Sequence, residues 1–346
     1  MSRGRYGRYH NPSWEETEKV LAQLDGTEAC AIFTSGMSAI YSTLMAFMES
    51  YSCCATLRYL YRNTRRVFEG LDSLGIKTLI LDNADPALFA MDLHRVGEEI
   101  DLMFVEMPSN PHLYLAYLEK IRGLLRPDAL LVVDSTLASP HNFKPCLWGA
   151  DLVIHSCTKY LNGHADIMLG SVAGKKSLIE QIRCFRDISG AVPSPQDAFM
   201  LRQHLKTFEL RMNYLNDAGQ KLANFLDAHP MVSASCYLGL DSHPHRELAR
   251  KFFTNGYGGV VTFELKLSKE DTSSLIDNLQ VPYIASNFGS AETYIEHVSP
   301  FSYYNLSEEE RQMLKITDSL VRLSIGFNDP IDSIIDDLKT NLAKAA

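Results

Sequence analysis

The 346-residue sequence is short of several features, and each shortage narrows what the chain can be. No run of about 18 apolar residues occurs, so no membrane-spanning helix is expected. The opening stretch MSRGRYGRYHNPSWEE has no apolar core of a secretory signal. None of the seven cysteines falls in a CxxC pair, and Cys53 and Cys54 are adjacent. That pattern suits neither a common disulfide nor a zinc site, and it predicts reduced thiols in a cytoplasmic protein. A basic excess is also missing: 33 Lys and Arg against 42 Asp and Glu give a net charge of −9. Such a chain is a poor candidate for wrapping nucleic acid or lying on an anionic membrane. No internal repeat or low-complexity tract stands out.

What is present is an ordinary globular composition, 46% hydrophobic and 22% charged, long enough for roughly two domains. The first half alternates helix-like and strand-like stretches. Ser13 with Glu16 fits a capping box, and a second helix is expected from about Gly36 to Glu49. Strand candidates follow at Cys53–Tyr59, Thr78–Leu81, Leu102–Glu106, Leu130–Asp134 and Leu152–His155, with helical segments such as Asn63–Leu74 and Leu115–Leu125 between them. Short apolar strands alternating with helices predict an α/β fold with a mostly parallel sheet covered on both faces. The second half reads differently. A long helical region over Pro195–Ala228 precedes Tyr257–Leu267, an irregular Ser286–Pro300, a strand at Leu320–Ile325 and a final helix Pro330–Ala343. A smaller α+β domain is expected there, with the boundary near residue 210.

Ligands of open parallel sheets bind outside the C-terminal strand ends. Three strands here end in chemistry: Glu106 before Pro-Ser-Asn; Asp134 before Ser135 and Thr136; and His155 before Ser156, Cys157, Thr158 and Lys159. Carboxylates and a lysine at the ends of apolar strands are costly unless paired or used. Pyridoxal phosphate unites them. It needs a lysine for a Schiff base, an aspartate to keep the pyridine nitrogen protonated, and hydroxyls with helix N-terminal amides for the phosphate. Ser35-Gly36-Met37 opens a predicted helix and can supply those amides.

The segments VDSTLASP (Val133–Pro140) and HSCTKYLNGH (His155–His164) resemble the VDNTFATP and HSATKYLNGH patterns of the pyridoxal-phosphate enzymes of cysteine and methionine metabolism. That group holds cystathionine γ-synthase, the cystathionine lyases and methionine γ-lyase, and the resemblance runs from about residue 6 to residue 338. It implies a fold type I (aspartate aminotransferase-like) transferase fold. It also implies an arm at 1–12 contacting a neighbouring subunit, a large cofactor domain at 13–210 and a small domain at 211–346. By the same resemblance Lys159 carries the cofactor, Asp134 pairs with its pyridinium nitrogen, and Ser156, Thr158 and the amides of Gly36 and Met37 hold its phosphate. Tyr6 and Arg8 in YGRYHNP match residues that reach the neighbour's phosphate, which implies a homodimer or homotetramer with shared sites. Tyr61 matches the stacking aromatic and has a part in proton transfer. Glu106 and Asn110 match EXPSNP, whose Asn lies by the cofactor's hydroxyl, and Arg322 in LVRLSIG matches the arginine that grips the substrate α-carboxylate.

Departures from the family pattern bear on substrate. Arg62 and Asn63 stand where small residues usually follow the stacking tyrosine, and the methionine γ-lyase cysteine of that loop is absent. The substrate loop, usually SLGGVESLIEHP, here runs Asn287 to Val298, with Asn287 for the serine and with Phe288 and Tyr294 altering the pocket. His243-Pro-His245 lies in a stretch that resembles a family loop without a metal role, so no metal is expected. Relatives usually carry a further segment ahead of YGRYHNP, and a more open entrance is expected without it. The expected chemistry is γ-substitution or γ-elimination on an activated homoserine ester or a cystathionine-like thioether. The alternatives are a β-eliminating C–S lyase and a non-catalytic pseudoenzyme, the latter opposed by the joint presence of Lys159, Asp134 and Arg322.

Overall fold

The computed structural model describes residues 6–49, 52–82 and 86–345. The first five residues of the expected arm lie outside them. The chain divides into two compact units, one taking the chain up to Ser109 together with Tyr114–Phe208, the other Asn110–Leu113 and everything from Glu209 onward. The segment Asn110–Leu113, expected inside the large domain, clusters with the second unit for a visible reason. Thr262 donates to the Pro111 carbonyl at 2.7 Å, the His112 ring lies 2.9 Å from the Leu314 carbonyl, and Arg322 donates to Asn110 at 2.8 Å.

The first unit is built on a seven-stranded sheet. Its strands are β1 (Ala29–Phe33), β2 (Cys53–Leu57), β3 (Lys77–Leu81), β4 (Leu102–Glu106), β5 (Leu130–Asp134), β6 (Leu152–Ser156) and β7 (Gly170–Gly174). The order is β1-β7-β6-β5-β4-β2-β3. All pairs are parallel except those of β7, which runs against both β1 and β6. The residues of β2, β4 and β7 are buried throughout, as a sheet covered on both faces requires. Glu106 is in register with Asp134, and Asp134 with Ile154. The C-terminal ends of β4, β5 and β6 therefore lie side by side.

Helix α1 spans Pro12–Asp25, and its cap differs from the expected Ser13/Glu16 box. Asn11 is the cap, its side chain accepting from the Ser13 amide at 2.9 Å, with Pro12 opening the helix. Proline at the first position needs no donor and has the helical φ, so the start moves back to it. Helix α2 spans Gly36–Phe47; Ala39, Ile40 and Leu44 pack against Phe33, Ile154 and Val172 in the core. Helix α3 spans Arg62–Leu71, and its Phe68 ring meets Phe104 of β4 at 5.4 Å. The expected single helix over Pro195–Ala228 is two, Pro195–His204 and Phe208–Asp227, joined by a 3₁₀ turn at Leu205–Thr207. Thr207 donates its hydroxyl to the His204 carbonyl at 3.2 Å, a local bond that competes with the helical ladder. No helix of the described residues is long and apolar enough to cross a membrane.

The second unit carries a five-stranded sheet of order β10-β11-β12-β9-β8. These strands are β8 (Val232–Cys236), β9 (Val260–Leu265), β10 (Tyr283–Ile284), β11 (Tyr294–His297) and β12 (Leu320–Ser324). Only β10 and β11 pair in parallel. The segment expected to be irregular, Ser286–Pro300, thus contains a strand, β11. Three of its four residues are buried, so a period-2 alternation was never there to read.

His112, His243 and His245 are all buried in this unit. His243 accepts from the His245 amide at 3.1 Å, and its other ring nitrogen faces the His112 carbonyl at 3.3 Å. Burial pushes all three rings down to about 4. An unfolded histidine takes up a proton near pH 6.5, before the buried ring does, so stability falls as pH drops from there towards 4. At pH 5 the loss is about 2 kcal/mol per ring. Urea unfolding midpoints should therefore fall between pH 7 and pH 5. His112→Gln, which keeps a donor for Leu314, should shrink that fall by about one ring's share.

Candidate active site

The site is assembled where β4, β5 and β6 end. Asp134 closes β5 and is buried, 8% exposed. Its Oδ1 accepts from both the amide and the hydroxyl of Thr136, at 3.0 and 2.5 Å. The Thr136 oxygen in turn accepts from the Ser156 amide at 2.8 Å. One threonine thus ties the end of β5 to the end of β6. Oδ2 of Asp134 has no hydrogen-bond partner, and the carboxylate has no ion pair, among the described residues. Burial raises its pKa; the two Thr136 bonds and the nearby His155 oppose the rise. His155, one residue before Ser156, is 2.9 Å from Asp25, and both are buried. Burial disfavours charge on that ring, but the Asp25 carboxylate, with Asp134 and a Ser135 backbone hydrogen bond, outweighs it and lifts the pKa above the ordinary histidine value. The buried carboxylates of this strand end thus favour the protonated form of the ring.

Lys159 stands in the turn after β6 and is half-buried. The turn is closed by the Lys159 amide to the Ser156 carbonyl at 3.1 Å and by the Gly163 amide to the Lys159 carbonyl at 2.7 Å. Thr158 braces it: its hydroxyl donates to the Leu169 carbonyl at 3.2 Å and accepts from the Leu169 amide at 3.1 Å. A phosphate oxygen would have to take that one hydroxyl proton from Leu169.

The N-terminus of α2 lies against Ser156. A Cβ on Gly36 would stand 2.8 Å from the Ser156 Cβ, closer than packing allows, so glycine lets the helix end approach the strand end. Gly170 of β7 does the same beneath Ser35, where a Cβ would strike the Ser35 carbonyl. Ser35 caps the helix by accepting from Ser38. The first helical amides, at Gly36 and Met37, have no partner within the helix. Met37 also meets the segment that opens α3, because the Thr64 hydroxyl points at its sulfur at 3.8 Å. In that segment the Tyr61 amide donates to Glu106 at 2.6 Å, and Asn63 donates to the Tyr61 hydroxyl at 3.2 Å. Asp134, Ser156, Gly36, Met37, Tyr61 and Glu106 are thus linked through neighbouring contacts.

Tyr6 and Arg8 are not part of that cluster. Tyr6 is 58% exposed. Arg8 lies over the Tyr6 and Tyr9 rings and donates to the Asp187 carbonyl at 2.7 Å. In the second unit, Arg322 of β12 is buried. It pairs with Glu296 at 2.6 Å, donates to Asn110 at 2.8 Å and lies 5.9 Å from the Phe288 ring. Asn287 stands half-buried beside Phe288. Sequence reasoning had not singled out Thr136, Asp25 or Glu296 for the site. An Asx-type turn at Asp134-Ser135-Thr136 is a signal that finds the first. Asp25 and Glu296 are far in sequence from their partners, and no local pattern points to them.

A mostly parallel sheet with a lysine in the turn after one strand, a buried carboxylate at the end of the next, and a glycine-opened helix end beside them define a fold type I pyridoxal-phosphate enzyme. Residues 2–343 match the family described as Cys/Met metabolism PLP-dependent enzyme, and the chain belongs to that family. It is 36% identical to chloroplastic cystathionine γ-synthase 1 of Nicotiana tabacum, the match covering 98% of this chain and 62% of that one. The chain therefore spans less than two-thirds of the tobacco enzyme. It is 37% identical to L-methionine γ-lyase of Fusobacterium nucleatum subsp. polymorphum, over 98% of this chain and 86% of that one. A crystal structure of cystathionine γ-synthase from Xanthomonas oryzae pv. oryzae in complex with cystathionine superposes with a TM-score of 0.92 at 30% identity, over 100% of this chain and 91% of that one.

The residues fit the family's cofactor. A buried carboxylate with one oxygen free of donors suits a pyridinium N–H, and a helix end freed of side chains at Gly36 suits a phosphate. Thr136→Val keeps the shape but removes the bridge. It should leave the Ser156 amide without an acceptor, at a cost of about 1–3 kcal/mol. It should also weaken pyridoxal-phosphate binding, read by titrating the cofactor-free protein and by urea unfolding. Unchanged affinity would mean that Asp134 does not need Thr136 to hold its orientation.

Proposed function

We propose that this protein catalyses γ-substitution or γ-elimination on an amino acid, in the manner of cystathionine γ-synthase, using an activated homoserine ester or a cystathionine-like thioether. The single observation that carries the reading is the linked set Asp134–Thr136–Ser156 at the strand ends, with Lys159 three residues on. The relatives support the γ position, since those described above are by name γ-synthases and γ-lyases. A β-eliminating lyase is not favoured.

Pyridoxal phosphate, when bound, supplies the electron sink for charge left on the substrate carbon. The chain does the rest. Asp134 would hold the pyridine proton, with the oxygen that Thr136 leaves unused available as acceptor. The amides of Gly36 and Met37, with the Ser156 and Thr158 hydroxyls, bind the phosphate. Lys159 would hold the cofactor and, once released by the substrate amine, its amine would take the proton from Cα and return protons further along the substrate. Tyr61 would lie against the bound cofactor and assist proton transfer at the leaving group. Glu106 holds the Tyr61 amide and so fixes where that ring starts. Arg322 takes the substrate α-carboxylate as a bidentate pair, with Asn110 steadying the guanidinium. Asn287 and Phe288 shape the substrate's far end.

The domain roles follow: a cofactor-binding part up to residue 210, a smaller part from 211, and an arm at 1–12 that serves a neighbouring subunit. The in-chain partners of Tyr6 and Arg8 support that last role, because neither is tied to its own chain's phosphate cradle. A homodimer or homotetramer with shared sites is the assembly we propose. All seven cysteines are free, which suits a reducing compartment such as the cytoplasm.

Protein loaded with pyridoxal phosphate should be offered O-acetyl-, O-succinyl- and O-phosphohomoserine with thiol nucleophiles, and cystathionine alone, with products read by mass spectrometry. A γ-thioether product, or 2-oxobutanoate, is expected. Pyruvate as the main keto acid would overturn the reading. Lys159→Ala should abolish turnover, a loss of at least about 10³-fold, and remove the absorbance of the lysine-linked cofactor.

A further inference from the structure

Arg322 does not stand alone at the site proposed for the substrate carboxylate. The register of β11 and β12 sets Glu296 directly opposite it, and directly opposed residues in an antiparallel pair share a face. Glu296 Oε2 is 2.6 Å from Arg322 Nη2, and the two side chains are 1% and 5% exposed. Asn110 takes Nη1 at 2.8 Å. The guanidinium is therefore held at both terminal nitrogens. Its Nε is buried with no hydrogen-bond partner, so the Nε edge of the fork is unspent.

Glu296 is itself tethered. Its Oε1 accepts from the Ser302 hydroxyl, and Ser302 lies 3.2 Å from the hydroxyl of Ser286. Ser286 immediately precedes Asn287 and Phe288, and the Phe288 ring lies 5.9 Å from the same guanidinium. A continuous polar chain thus runs Ser286, Ser302, Glu296, Arg322, Asn110. It joins the loop that shapes the substrate's far end to the arginine proposed to hold its near end.

We infer that Glu296 is a positioning residue for substrate binding, fixing the direction of the Arg322 fork and offsetting part of its charge. The inference rests on the reading of Arg322 as the carboxylate grip. Two consequences follow from the chemistry. A fork held at both ends presents its free edge in one orientation, so the carboxylate is aligned on arrival. A carboxylate already 2.6 Å away lowers the positive potential that an incoming anion meets. The site therefore gives up affinity for the carboxylate and keeps alignment.

Removing charge and removing the holder can be separated. E296Q keeps an acceptor for Nη2 and loses the charge; E296A loses both. The probes are glycine, which has the carboxylate, and methylamine, which lacks it, titrated into the pyridoxal-phosphate-loaded protein and read by cofactor absorbance. E296Q should bind glycine about tenfold more tightly, with methylamine unchanged. E296A should lower kcat by about tenfold or more on the substrate found above, and E296Q should restore most of that loss. Urea unfolding of each variant shows whether the fold survives the uncompensated arginine. Glycine affinity in E296Q equal to wild type, or an equal kcat loss in both variants, would overturn the inference. R322K is the control on the underlying reading: if it leaves glycine binding intact, Arg322 is not the grip and both fail. If it weakens glycine but E296Q changes nothing, only the role of Glu296 fails.

Discussion

A carboxylate buried at the end of an apolar strand, with no ion pair of its own among the described residues, is the constraint on which the first unit turns. Asp134 is placed there by β5, whose Leu130–Val133 run drives the strand into the sheet interior and takes the aspartate with it. Such a group costs free energy unless its charge is met. The fold meets it only in part. Thr136 supplies two donors to one oxygen, while burial still holds the pKa up. A fold selected for stability alone would do better with an apolar residue here. Keeping the aspartate makes sense when a cationic ring nitrogen completes it, and a pyridinium is such a partner.

The same economy explains the glycines around it. Gly36 and Gly170 are where a side chain would force Ser35, Ser156 and the α2 N-terminus apart. A helix end brought against a strand end leaves backbone amides facing outward with no side chain in the way. That is what a phosphate needs. Asp25 under His155 belongs to the same design. The carboxylates near the ends of β5 and β6 favour a proton on that imidazole, and the ring in turn opposes the rise in the Asp134 pKa.

How much of this could be read from the residues follows from the physics of each part. The parallel strands β4, β5 and β6 were legible because they are apolar runs ending in chemistry, and β2 and β3 because they are short strand-like runs between helices. β1 and β7 were not. β7 is Gly-Ser-Val-Ala-Gly, and its glycines serve close packing against Ser35 and Asp151, so they masked a strand signal. The strand β11 was lost for the opposite reason, burial without alternation. Lys159, Asp134 and Gly36 were visible in local motifs. Thr136 was visible only as a turn residue, and its bridging of two strands appears once β5 and β6 are paired. Asp25 and Glu296 act across 130 residues and across a strand register respectively, so nothing local announces them.

The contrast between the two buried charges is the last step. Asp134 has no ion pair among the described residues, only the Thr136 bonds and the nearby His155, whereas Arg322 pairs directly with Glu296. A cofactor that arrives once and stays can be trusted to neutralise a buried carboxylate for the life of the protein. On the role proposed for Arg322, a substrate that comes and goes cannot do this for a buried arginine, because between turnovers the guanidinium would stand uncompensated in a low-dielectric sheet. A resident carboxylate solves that, at the cost of a weaker grip. On this argument the two arrangements follow from how long each ligand remains: permanent partners are built into the charge balance, and transient ones are not.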